Sequence, residues 1–402
     1  MPYSLNPRAW LRRSRFSSLQ PFEPATPEEW GRSADPVCLR LTIVSQSEQA
    51  FTHISTNGKE MGKSKFISSL ATLSFLAAIH AVHAQPNPVP VTADNFVRAE
   101  SDEELNKVVK SDGFGKFFHN RELAPVDQQI VVRVNRDTLY SSAVFDLDAG
   151  PVTITLPDAG KRFRSMIVIN EDHYAQEVVY NAGKYTLDKQ KIGTRYVLAT
   201  VRTLVNSADP SDVAKAHALQ DAIKIDQKHL GTFEVPNWDP VSQKKVRDAL
   251  LVLGSTIPDT RKSFGTKNEV DPVRHLIGAA TLWGGNPEKD ALYLTRVPQK
   301  NDGSTVYKIH VNPDVPVDGF WSITVYNAAG LIDPNPLNAY SLNNTTAHKN
   351  SDGSVDIQFG ACDGKVPNCL PIASGWNYTV RLYRPRAQIV SGQWTFPEAQ
   401  PK

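Results

Sequence analysis

Features that usually announce a chemistry are scarce in this sequence. Of its 402 residues only three are cysteine. Cys38 lies within the first sixty residues, so Cys362 and Cys369 in GACDGKVPNCLP stand as a pair. A metal site there would need two more soft or imidazole ligands, which the local sequence lacks. A catalytic thiol is disfavoured as well, because no histidine stands beside either cysteine in the chain. An excess of one charge is also missing, with 44 Lys plus Arg against 42 Asp plus Glu. Nine of those bases and six of those acids precede Gln85, so the chain from there on is near neutral. It has no electrostatic claim on nucleic acid or on an anionic membrane. No apolar run after residue 84 reaches the roughly 20 residues of a membrane helix. G-x-S-x-G, H-E-x-x-H and P-loop motifs are absent, as is a G-x-G-x-x-G following a strand. The reaction classes tied to those motifs lose their support, and no cofactor is expected.

What is present begins with an address. MGKSKFISSLATLSFLAAIHAVHAQP, from Met61 to Pro86, has Lys63 and Lys65 ahead of an apolar stretch from Phe66 to Ala78 and small residues around Ala84. That order is the n-region, h-region and cleavage site of a secretory signal, and its core is too short for a membrane anchor. Residues 1–60 are rich in Arg, Ser and Pro without a sustained period, so they read as an over-extended, disordered start. Export through a signal at 61–84, cleaved near Ala84, puts the product in the periplasm or outside the cell. In that oxidising setting Cys362 and Cys369 are expected to close a disulfide.

The period of the chain then changes three times. Residues 85–127 contain a leading helix that starts near Thr92 or Asn95, carries Glu100, Asp102, Glu103 and Glu104, and stops at Gly113. Residues 128–208 alternate β-branched and polar residues in short runs broken by Asp-Ala-Gly turns, the pattern of an antiparallel sandwich. Residues 209–285 hold three Asp-Pro helix openings, at Asp209, Asp239 and Asp271, which predict an all-helical insert. In the second of these helices Val246, Leu250 and Leu253 form the apolar stripe. Residues 286–402 return to strands, with Asn301-Asp302-Gly303 and Ser351-Asp352-Gly353 as hairpin turns.

Two long segments carry a resemblance. VNRDTLYSSAVFDLDAGPVTITLPDAGKRF resembles domain of unknown function 1254. DGFWSITVYNAAGLIDPNPLNAYSLNN and LYRPRAQIVSGQWTFPEAQ resemble domain of unknown function 1214. The likeness runs from about Val91 to Pro397. It implies a mainly β protein with an N-terminal immunoglobulin-like sandwich, a small helical domain and a C-terminal jelly-roll-like sandwich. It implies no activity.

Candidate site residues gather in three places. In NRDTLYS, Asn135, Arg136, Asp137 and Tyr140 combine an anion clamp with hydrogen-bonding groups, although an Arg-Asp pair also serves to pin neighbouring loops. In NPLNAYSLNN, Asn338 and Tyr340 join amide groups to a ring face suited to sugars or peptides, and the same residues also form turns. Trp283, followed by two glycines, marks either a joint or a cleft wall. In NEDHY, strand alternation would set Asp172 on the face opposite Glu171 and His173, so no metal is expected there. The preferred reading is an exported protein that binds a small organic or saccharide ligand between its domains. The alternatives are an uncommon hydrolase using Asp137, Tyr140 or His173 with Arg136 as anion clamp, and a cell-envelope scaffold. Homo-oligomerisation is left open.

Overall fold

The computed structural model describes residues 87–129 and 132–402. The readings placed on 1–60 and 61–84 lie outside the described residues. Helix α1 (Phe96–Lys110) precedes strands β1 (Phe118–His119), β2 (Thr138–Asp146), β3 (Val152–Leu156), β4 (Arg164–Asn170), β5 (Ala175–Val179) and β6 (Gly183–Leu187), then the short helix α2 (Lys189–Ile192) and β7 (Tyr196–Leu204). Helix α3 (Pro210–Asp221), strand β8 (Lys224–Asp226) and helices α4 (Pro240–Gly254) and α5 (Pro272–Thr281) follow. The remainder is β9 (Ala291–Arg296), β10 (Tyr307–Val311), β11 (Trp321–Tyr326), β12 (Ser341–Asn343), β13 (Val355–Phe359), β14 (Cys369–Leu370), β15 (Asn377–Tyr383), helix α6 (Ala387–Val390) and β16 (Gln400–Pro401).

The fold is mainly β and its sheets are nearly all antiparallel. A sheet ordered β1-β2-β7-β4-β5 shares a core with the sheet β6-β3-β8. Alternation along the strands sends Ala143, Phe145, Val197, Ala199 and Val201 into that core. Val144 and Leu198 go to the opposite face, where they meet Leu105 of α1. The sheets β12-β11-β15-β9 and β14-β13-β10-β16 share a second core around Trp376, Phe359 and Tyr378. Each fully buried aliphatic or aromatic side chain in these cores contributes about 1.5–3 kcal/mol.

The three Asp-Pro helices start where the sequence places them. Asp209 accepts from the Ser211 amide, Asp239 from those of Val241 and Ser242, and Asp271 from those of Val273 and Arg274. Each cap satisfies amides that have no partner within the helix, which stabilises it by about 1 kcal/mol. The stretch 209–285 is not all helix, since β8 adds to the edge of β3 through Thr153–Thr155. Leu253 is 51% exposed, so the apolar stripe of α4 ends at Leu250. The two expected hairpins are also corrected. Gly303 (φ +78°) and Gly353 (φ +85°) do make tight turns, but the strands on either side of each turn belong to different sheets. Cys362 and Cys369 are disulfide-bonded, with their Cα atoms 5.6 Å apart. Among the described residues no helix is long and apolar enough to cross a membrane.

Candidate functional site

The polar faces of two sheets meet in one cleft of about 2160 Å³. From the first sheet, Tyr140 of β2 and Arg202 of β7 face into it, directly opposite each other in the antiparallel ladder. From the other, Tyr293 of β9 and Arg381 of β15 are likewise opposite partners, and Tyr383 follows two residues on, on the same face. The alternation that buries Val201, Val380 and Leu382 is what turns these polar neighbours toward the cleft.

Asn135 ties the two halves together. Its Nδ2 donates to Tyr140 Oη at 3.1 Å and lies 3.2 Å from both Tyr383 Oη and Thr138 Oγ1. The Arg202 guanidinium stands 5.5 Å from the centre of the Tyr140 ring and donates to the Gly284 carbonyl at 2.9 Å. Burial favours the neutral phenol of Tyr140, but the Arg202 cation and hydrogen bonds from Asn135, Arg202 and Thr138 outweigh it. The phenol is held below its ordinary range. Tyr383 behaves in the opposite way, since burial and the neighbouring Tyr293 and Tyr140 push it well above that range. Two phenols within reach of one amide nitrogen are thus driven apart in acidity.

Five arginines line the cleft; Arg121 is paired with Asp221, which leaves Arg133, Arg136, Arg202 and Arg381. Among the described residues the hydrogen bonds of these four go to carbonyl, amide and hydroxyl oxygens; none bonds to a carboxylate, although the buried Asp137 acts electrostatically on Arg381. Arg133 adopts φ +55°, a conformation that an unbranched non-glycine residue holds only when its surroundings impose it. Arg136 lies over the Tyr340 ring, 5.4 Å from its centre.

Of the residues singled out in the sequence, Asn135, Arg136, Tyr140, Trp283, Asn338 and Tyr340 all line this cleft. Tyr340 Oη donates to Asn338 Oδ1 at 3.0 Å, which fixes the ring against Arg136. Asp137 does not join them. It is 1% exposed, takes a hydrogen bond from Asn343 Nδ2 at 3.1 Å, and burial pushes its carboxyl up. His173 does not line the cleft either; it is 2% exposed behind the wall, with Nε2 accepting the Gly284 amide and the ring stacked on Trp283. The NEDHY segment proves to be a turn rather than a strand. Asn170 Oδ1 accepts from the amides of Asp172 and Tyr174, and Glu171 accepts from the Tyr196 amide. Among the described residues no group of three His, Cys, Asp or Glu side chains is placed to hold a metal.

Arg202, Tyr293, Arg381 and Tyr383 escaped the sequence reading because they sit inside ordinary strands, without any motif around them. The only available signal was polarity, a charge or phenol at an alternating position of an otherwise apolar strand. His119 was missed as well. Its Nδ1 meets Ser141 Oγ at 2.7 Å, yet Ser141 is fully buried and also receives Gln220 Nε2, so this pair holds β1 to β2 rather than presenting a nucleophile.

Residues 114–227 match the family described as Protein of unknown function (DUF1254), and residues 291–387 match Protein of unknown function (DUF1214). The chain joins a DUF1254 part to a DUF1214 part. Tyr140 and Arg202 come from the DUF1254 part and Tyr293, Arg381 and Tyr383 from the DUF1214 part, so the cleft floor is shared between them. The crystal structure of the VPA0106 protein from Vibrio parahaemolyticus is similar at 19% identity and a TM-score of 0.58, covering 77% of this chain and 98% of that one. A putative uncharacterized protein from Burkholderia cenocepacia aligns at 13% identity and a TM-score of 0.47, over 77% of this chain and 88% of that one. The first likeness bears on fold alone. No curated protein matches the chain.

Proposed function

We propose that the DUF1254–DUF1214 chain is an exported protein that holds a small organic or saccharide ligand bearing an acid group in the cleft between its two β parts. One observation carries this reading. Arg133, Arg136 and Arg202 line a single cleft with no hydrogen-bonded carboxylate partner among the described residues, and Arg381 beside them has only the buried Asp137 as an electrostatic neighbour. A buried or half-buried guanidinium left without an anion is costly unless an incoming acid completes it, and its fork matches a carboxylate bidentately. Trp283, one face of which is stacked on His173, adds a partly exposed aromatic side chain to the same cleft.

The finer architecture belongs to the same proposal. Each pair of sheets sharing a core is read as one domain, immunoglobulin-like over 128–208 and jelly-roll-like over 286–402, with 209–285 between them. Export rests on the signal-like segment at 61–84, and the Cys362–Cys369 bond is in keeping with an oxidising compartment.

A thermal-shift screen of the purified protein against organic acids, acidic sugars and neutral sugars tests the ligand class. An acid at a hundred times its dissociation constant adds about 2.7 kcal/mol, enough to raise the melting temperature measurably. The rise should disappear in Arg136→Ala. A panel in which neutral sugars shift the protein and acids do not would overturn the reading.

A further inference from the structure

The floor of the cleft is equipped for more than holding an anion. Tyr140 is the less buried of the two phenols there, and Tyr383 is only 2% exposed beside it. Asn135 Nδ2, which can only donate, lies 3.1 Å from the Tyr140 oxygen, and the Arg202 guanidinium stands over the same ring. An oxygen beside an obligate donor and next to a cation is an oxygen prepared to carry negative charge. The half-buried Arg136 stands on the same wall, over Tyr340, and spends one N–H on the Ala124 carbonyl. The cleft therefore pairs an electron-rich phenol with cations suited to a carboxylate.

The geometry points to proton abstraction beside an anchored carboxylate: Tyr140 removes the C5 proton of a uronate within a 1,4-linked uronate chain, and the chain breaks by β-elimination. This inference rests on the acid-binding reading proposed above. Three observations select that substrate. A carboxylate neutralised by arginine makes the adjacent C–H more acidic, whereas a neutral sugar has no use for arginines that bond to no carboxylate, such as Arg133, Arg136 and Arg202. Hydrolysis of a glycoside calls for two flanking carboxyl groups, but the groups acting on Tyr140 are Arg202, Asn135 and Thr138, no carboxylate among them, and Asp137 is buried off the cleft. Lastly, at about 2160 Å³ the cleft exceeds the roughly 300–1,000 Å³ of a small-molecule pocket and leaves room for several sugar rings.

The step balances without any co-reactant. The C5–H bond breaks and its proton goes to the Tyr140 oxygen. The electron pair left behind becomes the C4–C5 double bond as the C4–O bond breaks. The departing oxygen keeps that bond's pair and takes the proton back from Tyr140, which returns to phenolate. Arg202 and Asn135 stabilise the phenolate before and after, and Arg136 holds the carboxylate while charge spreads onto it.

Polygalacturonate and alginate serve as probes, with a neutral galactan as control. Binding is read by thermal shift and cleavage by the ultraviolet absorbance of the unsaturated sugar end. The expected result is a shift with at least one uronate chain, accompanied by an unsaturated product. Tyr140→Phe should keep the shift and lower the rate by at least about 100-fold, in line with the loss of a general base. Arg136→Ala should instead raise KM more than it lowers kcat. Binding without unsaturated product, or product formation undiminished in a folded Tyr140→Phe protein, overturns the elimination chemistry and leaves acid binding standing. If uronate chains give no shift while smaller organic acids do, this inference alone fails. If no acid of any size gives a shift, the binding proposal fails with it.

Discussion

Tyr140 and Arg202 stand opposite one another across the β2–β7 ladder, with the guanidinium 5.5 Å from the centre of the ring. The two residues come from strands far apart in sequence, and the pairing register alone makes them neighbours. Their relationship sets the acidity of the phenol, so removing the cation should move it. In Arg202→Met the Tyr140 phenol is expected to titrate at higher pH than in the parent, and Arg202→Lys should lie between the two. Ultraviolet titration of tyrosinate checks this. An unchanged first ionisation in Arg202→Met would show that the cation does not govern Tyr140.

Asp102 gives the folded state a pH dependence of its own. Burial, countered in part by the Trp238 Nε1 hydrogen bond, raises its pKa from 3.8 to about 6. A carboxyl with a higher pKa in the folded state holds its proton more tightly there. Its stabilisation is present below the unfolded value and is lost as the pH rises through about 6. The gap corresponds to about 3 kcal/mol. Asp102→Asn should flatten the fall in stability between about pH 4 and pH 6 and leave the protein more stable at pH 7. Urea unfolding at the two ends of that range measures it, and an equal pH slope in parent and variant would refute it.

The Cys362–Cys369 bond closes a short loop beside β14, the strand that pairs with β13. By the loop-entropy relation it stabilises the fold by about 2–3 kcal/mol. The double variant Cys362→Ser/Cys369→Ser should melt several degrees lower, and a reductant should lower the parent toward the same value while leaving the variant unaffected. Equal melting temperatures would mean that the bond contributes little.

Gly285 sits where the helical stretch returns to the cleft wall, and a Cβ there would come within 2.4 Å of the Phe264 ring. Gly285→Ala should therefore cost about 1–3 kcal/mol through overpacking. Because Trp283 and Gly284 belong to the same turn, it should also weaken ligand binding. Phe264→Leu should relieve part of the loss in the double variant, and a fully additive double variant would show that the two positions do not touch.

Local chemistry was legible in the chain. Three Asp-Pro pairs marked three helix starts because an Asp cap and a Pro at the first turn act within a few residues. The alternation in 128–208 foretold antiparallel strands, and the one pair of late cysteines foretold the disulfide. Motif spacing also brought Asn135, Arg136, Tyr140, Asn338 and Tyr340 to attention, and all five line the cleft. What the tertiary structure alone decided was company and direction. It withdrew Asp137 and His173 into the interior, sent the strands flanking each Asp-Gly turn to different sheets, and added Arg202, Tyr293, Arg381 and Tyr383 to the floor. The reason is physical. Caps, turns and strand periods depend on residues a few positions apart, whereas the cleft depends on which strand pairs with which and in what register, and those choices follow from burying two cores at once.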